Sequence, residues 1–136
     1  MNTATWNELV SALSSESIDT CVKAASRIHA EAGVDDILNL LALLESDDFF
    51  VREAAAWPLA ELTGPTVLTE LFVAYQRGFD EGHDNDGFTA ALLEIPSLFP
   101  GEAKLSLERI IASAKEPMRG HAHWLIEFVE GSESAQ

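Results

Sequence analysis

The chain has 136 residues, of which 47% are hydrophobic, and this is enough to build the core of one ordinary domain. Its 23 acidic and 8 basic residues give a formal net charge of −15. This charge argues against nucleic acid as a direct ligand, because phosphate binding needs clustered lysine and arginine. The negative field favours a basic protein partner, and acidity that serves only solubility is an equal alternative.

No apolar stretch approaches the roughly 18 residues of a membrane-spanning helix, and the first residues lack the basic and apolar regions of a secretory signal. We therefore expect no membrane contact. The single cysteine, Cys21, cannot form an internal disulfide and stands in an apolar helical stripe. These features predict a cytoplasmic protein.

Apolar residues recur at helical spacing along the chain, with a glycine after every second helical segment. Glycine suits the residue after a helix, because it adopts left-handed backbone angles at little cost. The chain therefore divides into four units, each predicted to be a helical hairpin: residues 5–33, 34–64, 65–101 and 102–131. The polar residues 132–136 are predicted to form a frayed tail.

The first helix of each unit carries an apolar stripe, which in the second unit consists of Val34, Ile37, Leu38, Leu41 and Leu44. No strand-like alternation of useful length appears. Because a single hairpin of this size cannot bury its apolar stripes, neighbouring hairpins must stack on one another. The sequence predicts an all-α fold, specifically a short right-handed α-solenoid of about four helical hairpins.

In the second unit, the segment DDFFVREAAAWPLA at residues 47–60 resembles a HEAT repeat, in the short bacterial form that phycobilin lyases also contain. In that family an aspartate in the turn and an arginine opening the second helix commonly hydrogen-bond between adjacent repeats. Asp48 and Arg52 match these positions, and Arg119 matches the arginine in the fourth unit, whereas the third unit has Thr89 there. The resemblance implies a fold and a style of binding more strongly than any activity.

The second helices carry the candidate partner-binding residues. On a helical wheel, Trp57 and Trp124 lie opposite the core positions. Polar side chains project toward the same outer face, namely those of Glu53, Glu94, His123 and Glu127. Tryptophans ringed by carboxylates are typical of a hot spot that faces a basic partner. Packing of the indole rings against a neighbouring helix is an equal alternative.

The third unit contains an enlarged loop, residues 77–87, whose acidic side chains are those of Asp80, Glu81, Asp84 and Asp86. Insertions between repeat helices project from one edge and often carry function. Counted from Asp80, the loop lacks the glycine and the terminal glutamate of an EF-hand, so we expect no metal site. A flexible acidic loop that contacts a partner and a plain solvated connector are equal alternatives.

The sequence shows no glycine-rich phosphate loop, no nucleophile elbow and no reactive cysteine, so we predict no catalytic residues and no cofactor. The leading hypothesis is a non-enzymatic protein-binding module whose acidic concave face captures a basic protein. One form of it is an immunity or inhibitor protein that neutralises a cationic toxin. The alternatives are a bilin lyase or its subunit, which the resemblance implies, and a structural scaffold or adaptor.

Overall fold

The computed structural model describes residues 1–134, with side chains as far as Val129, and this part of the chain contains no β-strand. It contains eight α-helices: α1 (Thr3–Leu13), α2 (Ile18–Glu31), α3 (Ile37–Leu44), α4 (Phe49–Thr63), α5 (Leu68–Asp80), α6 (Asp86–Leu98), α7 (Pro100–Ser113) and α8 (Met118–Ser134). Short 3-10 turns at Val34–Asp36 and Gly64–Val67 precede α3 and α5. The predicted all-α fold is confirmed.

Local side-chain caps determine where several helices begin. Asn2 caps α1, Ser17 caps α2 and Asp48 caps α4, each accepting a hydrogen bond from a backbone N–H in the first turn of its helix. The turns before α2 and α4 are therefore short, and the helices come in sequential pairs.

The second helices of the pairs pack in chain order, with α2 on α4, α4 on α6 and α6 on α8. Helix α4 also contacts α1, α3 and α5, so it lies at the centre of the packing. Within residues 51–60, every side chain is buried except those of Glu53 and Trp57. The sequence pattern predicted one buried stripe on α4, whereas most of the helix surface is enclosed. The handedness and the solenoid geometry stay a prediction.

Of the four glycines expected to end helices, Gly64 after α4 has a positive φ, 56°. Gly33 follows α2 with extended backbone angles, φ −128°. Gly101 lies in the first turn of α7, because the proline before it starts that helix at a position where a missing N–H costs nothing. Gly131 lies within α8. The left-handed glycine cap is therefore wrong for Gly33, Gly101 and Gly131.

The predicted tail of residues 132–136 is helical as far as Ser134, and residues 135–136 lie outside the described residues. None of the helices within residues 1–134 is long and apolar enough to cross a membrane.

Helix α3 buries only part of the predicted apolar stripe. Leu44 is buried and Ile37 and Leu41 are half-buried against the core, as predicted. Leu40, outside the predicted stripe, is also buried, whereas Val34 and Leu38 are 72% and 81% exposed. Because the sequence of α3, ILNLLALL, is apolar on nearly all sides, its periodicity could not identify the face that packs on α4. Aliphatic side chains therefore remain on the outer side of α3.

Candidate functional site

A groove of about 280 Å³ lies between α2 and α4. We call it the α2–α4 groove, and its lining consists of Ala25, Ser26 and His29 from α2, and Phe50, Glu53, Ala54 and Trp57 from α4. Glu53 and Trp57 are four residues apart, which places them on the same face of α4. Two of the predicted partner-binding residues therefore share one groove.

The indole of Trp57 is half-buried and packs against the neighbouring second helix. Its ring centroid lies 5.5 Å from that of His29, with an interplanar angle of 43°. The Nε2 atom of His29 lies 2.8 Å from Oε1 of Glu61, so the imidazole is held between the indole and a carboxylate. The ring of Trp57 is thus fixed in position while part of its surface stays accessible in the groove.

Glu53 is half-buried and forms no ion pair with any residue that the structure describes. Its carboxylate lies against the first turn of α6, where a β-carbon added at Gly87 would lie 2.6 Å from Oε1 of Glu53. Burial raises the pKa of Glu53, and the negative charge of Asp84 raises it further. A cation placed in the α2–α4 groove would stabilise the ionised carboxylate and so oppose both effects.

Pro58 contributes a further acceptor to this helix. Proline has no N–H, so the carbonyl of Ala54, four residues earlier, lacks its usual helical donor. Ala54 lines the α2–α4 groove together with Glu53. Ammonium and guanidinium groups carry several donors and need such acceptors.

Trp124 has different surroundings from Trp57. Its half-buried ring lies nearly parallel to that of Tyr75 on α5, with 6.0 Å between the centroids, and it also contacts Phe128 edge-on. His121, on the same helix, also contacts Tyr75, and burial lowers the pKa of this histidine. Because α8 rests against α5 as well as α6, the structure does not bring Trp124 to the groove of Trp57.

The remaining predicted residues of the second helices also lie away from this groove. Glu94 is half-buried on α6, and His123 and Glu127 are exposed one turn apart on α8. None of the three lines the α2–α4 groove. The predicted partner-binding set therefore does not form one continuous site with Glu53 and Trp57.

Arg52 is fully buried at the start of α4 and links the second pair of helices to the third. Its Nη1 donates to the carbonyl oxygen of Ser46 at 2.9 Å, and its Nη2 donates to Oε1 of Glu81. Arg77 donates to the other carboxylate oxygen of Glu81 at 2.9 Å and to Asp47 at 2.7 Å. The two guanidinium groups hold the pKa of Glu81 below its ordinary range.

This network differs from the one that the HEAT resemblance implies. Asp48 caps α4, and the acid that binds Arg52 is Glu81, at the end of the next first helix. Arg119, the matching arginine of the fourth pair, is exposed. Glu81, predicted to contact a partner, is therefore engaged in holding two pairs of helices together.

The connection between α5 and α6 is shorter than the predicted loop of residues 77–87. Helix α5 continues to Asp80 and α6 begins at Asp86, which leaves residues 81–85 between them. The ring of His83 stacks on that of Phe49 at 4.2 Å, and the buried side chain of Asn85 donates to the carbonyl oxygen of Tyr75 at 2.8 Å. The connection is thus packed against the helices beneath it.

Besides Glu81, the predicted loop of residues 77–87 has three acidic side chains, Asp80, Asp84 and Asp86, and all three are exposed, although two of them also have local partners. Asp80 accepts a hydrogen bond from Nε2 of Gln76 at 2.9 Å, and Asp84 accepts one from the backbone N–H of Asp86 at 2.8 Å. Asp86 itself lies in the first turn of α6, where a negative charge is favourable. Of these residues, Asp84 is the one whose charge acts on the α2–α4 groove.

Sequence reasoning missed the α2 side of the groove. His29 and Ser26 become part of the site only because α2 packs on α4, and neither residue stands in a motif. Gly87, which lies against Glu53, was assigned to the loop. No local signal could have identified these residues.

The helix pairs and their packing define an all-α protein with an acidic, tryptophan-containing groove between two second helices. Comparison of the chain with protein family models, with curated proteins and with solved structures found no match.

Proposed function

We propose that this protein is a non-enzymatic binding module that captures a basic protein, and that the α2–α4 groove receives a lysine or arginine side chain of this partner. The observation that carries the proposal is the half-buried carboxylate of Glu53, which has no cationic partner among the described residues and lies in the field of Asp84. A cationic side chain would form a charge-assisted hydrogen bond with Glu53 and contact the face of the Trp57 indole.

The charge of the whole chain supports the same partner chemistry. A net charge of −15 accelerates encounter with a positive surface and disfavours nucleic acid. In this proposal the second helices form the concave face of a HEAT-like solenoid. Its specific form, an immunity or inhibitor protein against a cationic toxin, is supported by the acidity of the chain. Among the side chains that the structure describes, no contact favours the bilin lyase or the scaffold.

The proposal is tested with a fluorescein-labelled peptide of arginine and lysine separated by glycine and serine, whose binding is measured by fluorescence anisotropy. Glu53→Gln removes the groove carboxylate, and Glu127→Gln on α8 removes an exposed one, so the two variants have the same net charge. We expect Glu53→Gln to weaken binding about tenfold or more, because a hydrogen bond to a charged group is worth roughly 1.5–3 kcal/mol. Glu127→Gln should change the affinity less than about twofold. Equal losses in the two variants would show attraction by net charge alone and refute the groove as the site.

A further inference from the structure

A second groove, of about 420 Å³, lies between the first helices α3 and α5. We call it the α3–α5 groove, and its lining consists of Leu41, Leu44 and Glu45 from the α3 side and Thr69, Glu70, Val73, Ala74 and Arg77 from α5. Leu44 and Ala74 are buried, whereas Val73 is 54% exposed. The groove is therefore mainly aliphatic and open to solvent.

The apolar surface continues beyond the groove along α3. Leu38 lies one turn before Leu41 and is 81% exposed. Packing of α3 on α4 buries Leu40 and Leu44, so fold stability does not account for leucine at position 38. Leu38 is thus adjacent to Leu41, which lines the groove together with Val73, and neighbouring exposed aliphatic side chains mark an interaction surface more often than scattered ones do.

The charges around the α3–α5 groove restrict what can cover it. Glu45 and Glu70 are exposed on its rim, and neither forms an ion pair within the described part of the chain. The basic residue of the lining, Arg77, is already bound to Asp47 and Glu81. A second copy of this chain, which also carries a charge of −15, would be repelled. The fitting occupant combines aliphatic side chains with flanking positive charge.

We infer that the α3–α5 groove docks an amphipathic helix of another protein, with aliphatic residues on one face and lysine or arginine at its edges. A groove between two helices suits this mode of recognition, in which side chains at positions i, i+3, i+4 and i+7 enter the groove. The aliphatic anchors would cover Val73 and Leu38, and the basic edges would lie beside Glu45 and Glu70. This surface is separate from the α2–α4 groove and does not depend on the function proposed for it.

The test uses a synthetic helical peptide with leucine at i, i+3, i+4 and i+7 and lysine elsewhere, titrated into the ¹⁵N-labelled protein. A scrambled peptide has the same composition but no apolar face, so it controls for the effects of charge and hydrophobicity alone. We expect saturable binding of the amphipathic peptide, with amide shift changes concentrated in α3 and α5. Shift changes at the α2–α4 groove instead, equal binding of the scrambled peptide or the absence of saturable binding would overturn the inference.

Variants of exposed residues check the site without disturbing the core. Leu38→Gln combined with Val73→Thr should weaken peptide binding at least about tenfold, because burial of an aliphatic side chain is worth roughly 1.5–3 kcal/mol. The control, Leu105→Gln on α7, changes a leucine that is 58% exposed and should leave the affinity within about twofold. The same double variant should leave binding of the arginine–lysine–glycine–serine peptide at the α2–α4 groove unchanged, because neither Leu38 nor Val73 lines that groove, and this separates a failure here from a failure of the proposed function. Self-association that Leu38→Gln abolishes, measured by sedimentation, would assign the groove to a second copy and overturn the inference.

Discussion

The close approach of Gly78 and Asn85 provides a sharp test of how α5 is joined to α6. A β-carbon added at Gly78 would lie 2.3 Å from Oδ1 of Asn85, a distance that real β-carbons do not show. The amide of Asn85 cannot move away without cost, because it is buried and its Nδ2 donates to the carbonyl oxygen of Tyr75. Substitution of Gly78 therefore forces the connection between the helices to shift.

The expected energies follow from two opposing effects. Alanine favours a helix over glycine by roughly 0.5–1 kcal/mol, whereas overpacking of a buried site costs about 1–3 kcal/mol. Gly78→Ala alone should therefore lower the free energy of unfolding by up to roughly 2.5 kcal/mol, which is the cost of overpacking less the gain in helix propensity. In the Asn85→Ala background the obstacle is gone, and the same substitution should be neutral or stabilise by up to about 1 kcal/mol.

The four proteins of this double-mutant cycle are compared by urea unfolding followed by circular dichroism. Gly101→Ala serves as the control, because a β-carbon at this helical position meets no atom within 4 Å. This variant should be as stable as the original protein or slightly more stable. The reasoning is refuted if Gly78→Ala has the same effect in both backgrounds, or if it stabilises the original protein.

Two further predictions concern charged groups. Arg52→Lys should lower the free energy of unfolding by about 1–3 kcal/mol in urea titrations, because one ammonium group cannot donate to both Ser46 and Glu81 as the guanidinium does. The control is Arg109→Lys, which changes an exposed arginine. Equal stability of the two variants would contradict a stabilising role for Arg52. Because the pKa of Glu53 is raised, the folded protein binds a proton at this carboxylate more tightly than the unfolded chain does. The free energy of unfolding should therefore fall as the pH rises from the ordinary glutamate pKa through the raised pKa. Glu53→Gln should remove this part of the pH dependence, and identical pH profiles for the two proteins would argue against it.

Much of the helical pattern was readable from local sequence, because caps and apolar spacing act over a few residues. Ser17 and Asp48 belong to the residue types that commonly cap helices, and their side chains start α2 and α4. The apolar residues of α5, such as Leu71 and Phe72, are buried as their spacing predicts. These local signals also predicted that the helices follow one another as hairpin pairs.

The errors came from contacts between residues that are distant in sequence. Arg52 binds Glu81, 29 residues away, and no local pattern distinguishes that carboxylate from its acidic neighbours. Gly78 was assigned to the loop of residues 77–87, whereas it lies inside α5, where the close approach of Asn85 explains a glycine. Trp124 faces Tyr75 because α8 packs on α5, a contact that depends on how the pairs stack.

The same limit applies to the candidate site. Glu53 and Trp57 were found because they share one face of a single helix, which is a local property. His29 completes the groove from α2, and this required the tertiary packing of two helices. Sequence reasoning thus identified one wall of the site and missed the other.

The enclosure of α4 bears on how the protein opens. In a linear repeat array each unit touches only its neighbours, so terminal units can come apart while the rest stays intact. Here α4 belongs to the second pair and contacts helices of both neighbouring pairs, and its buried Arg52 is bound to the end of α5. Its amide protons should therefore exchange with the solvent more slowly than those of the terminal helix α1, which can come apart while α4 stays covered by the third pair.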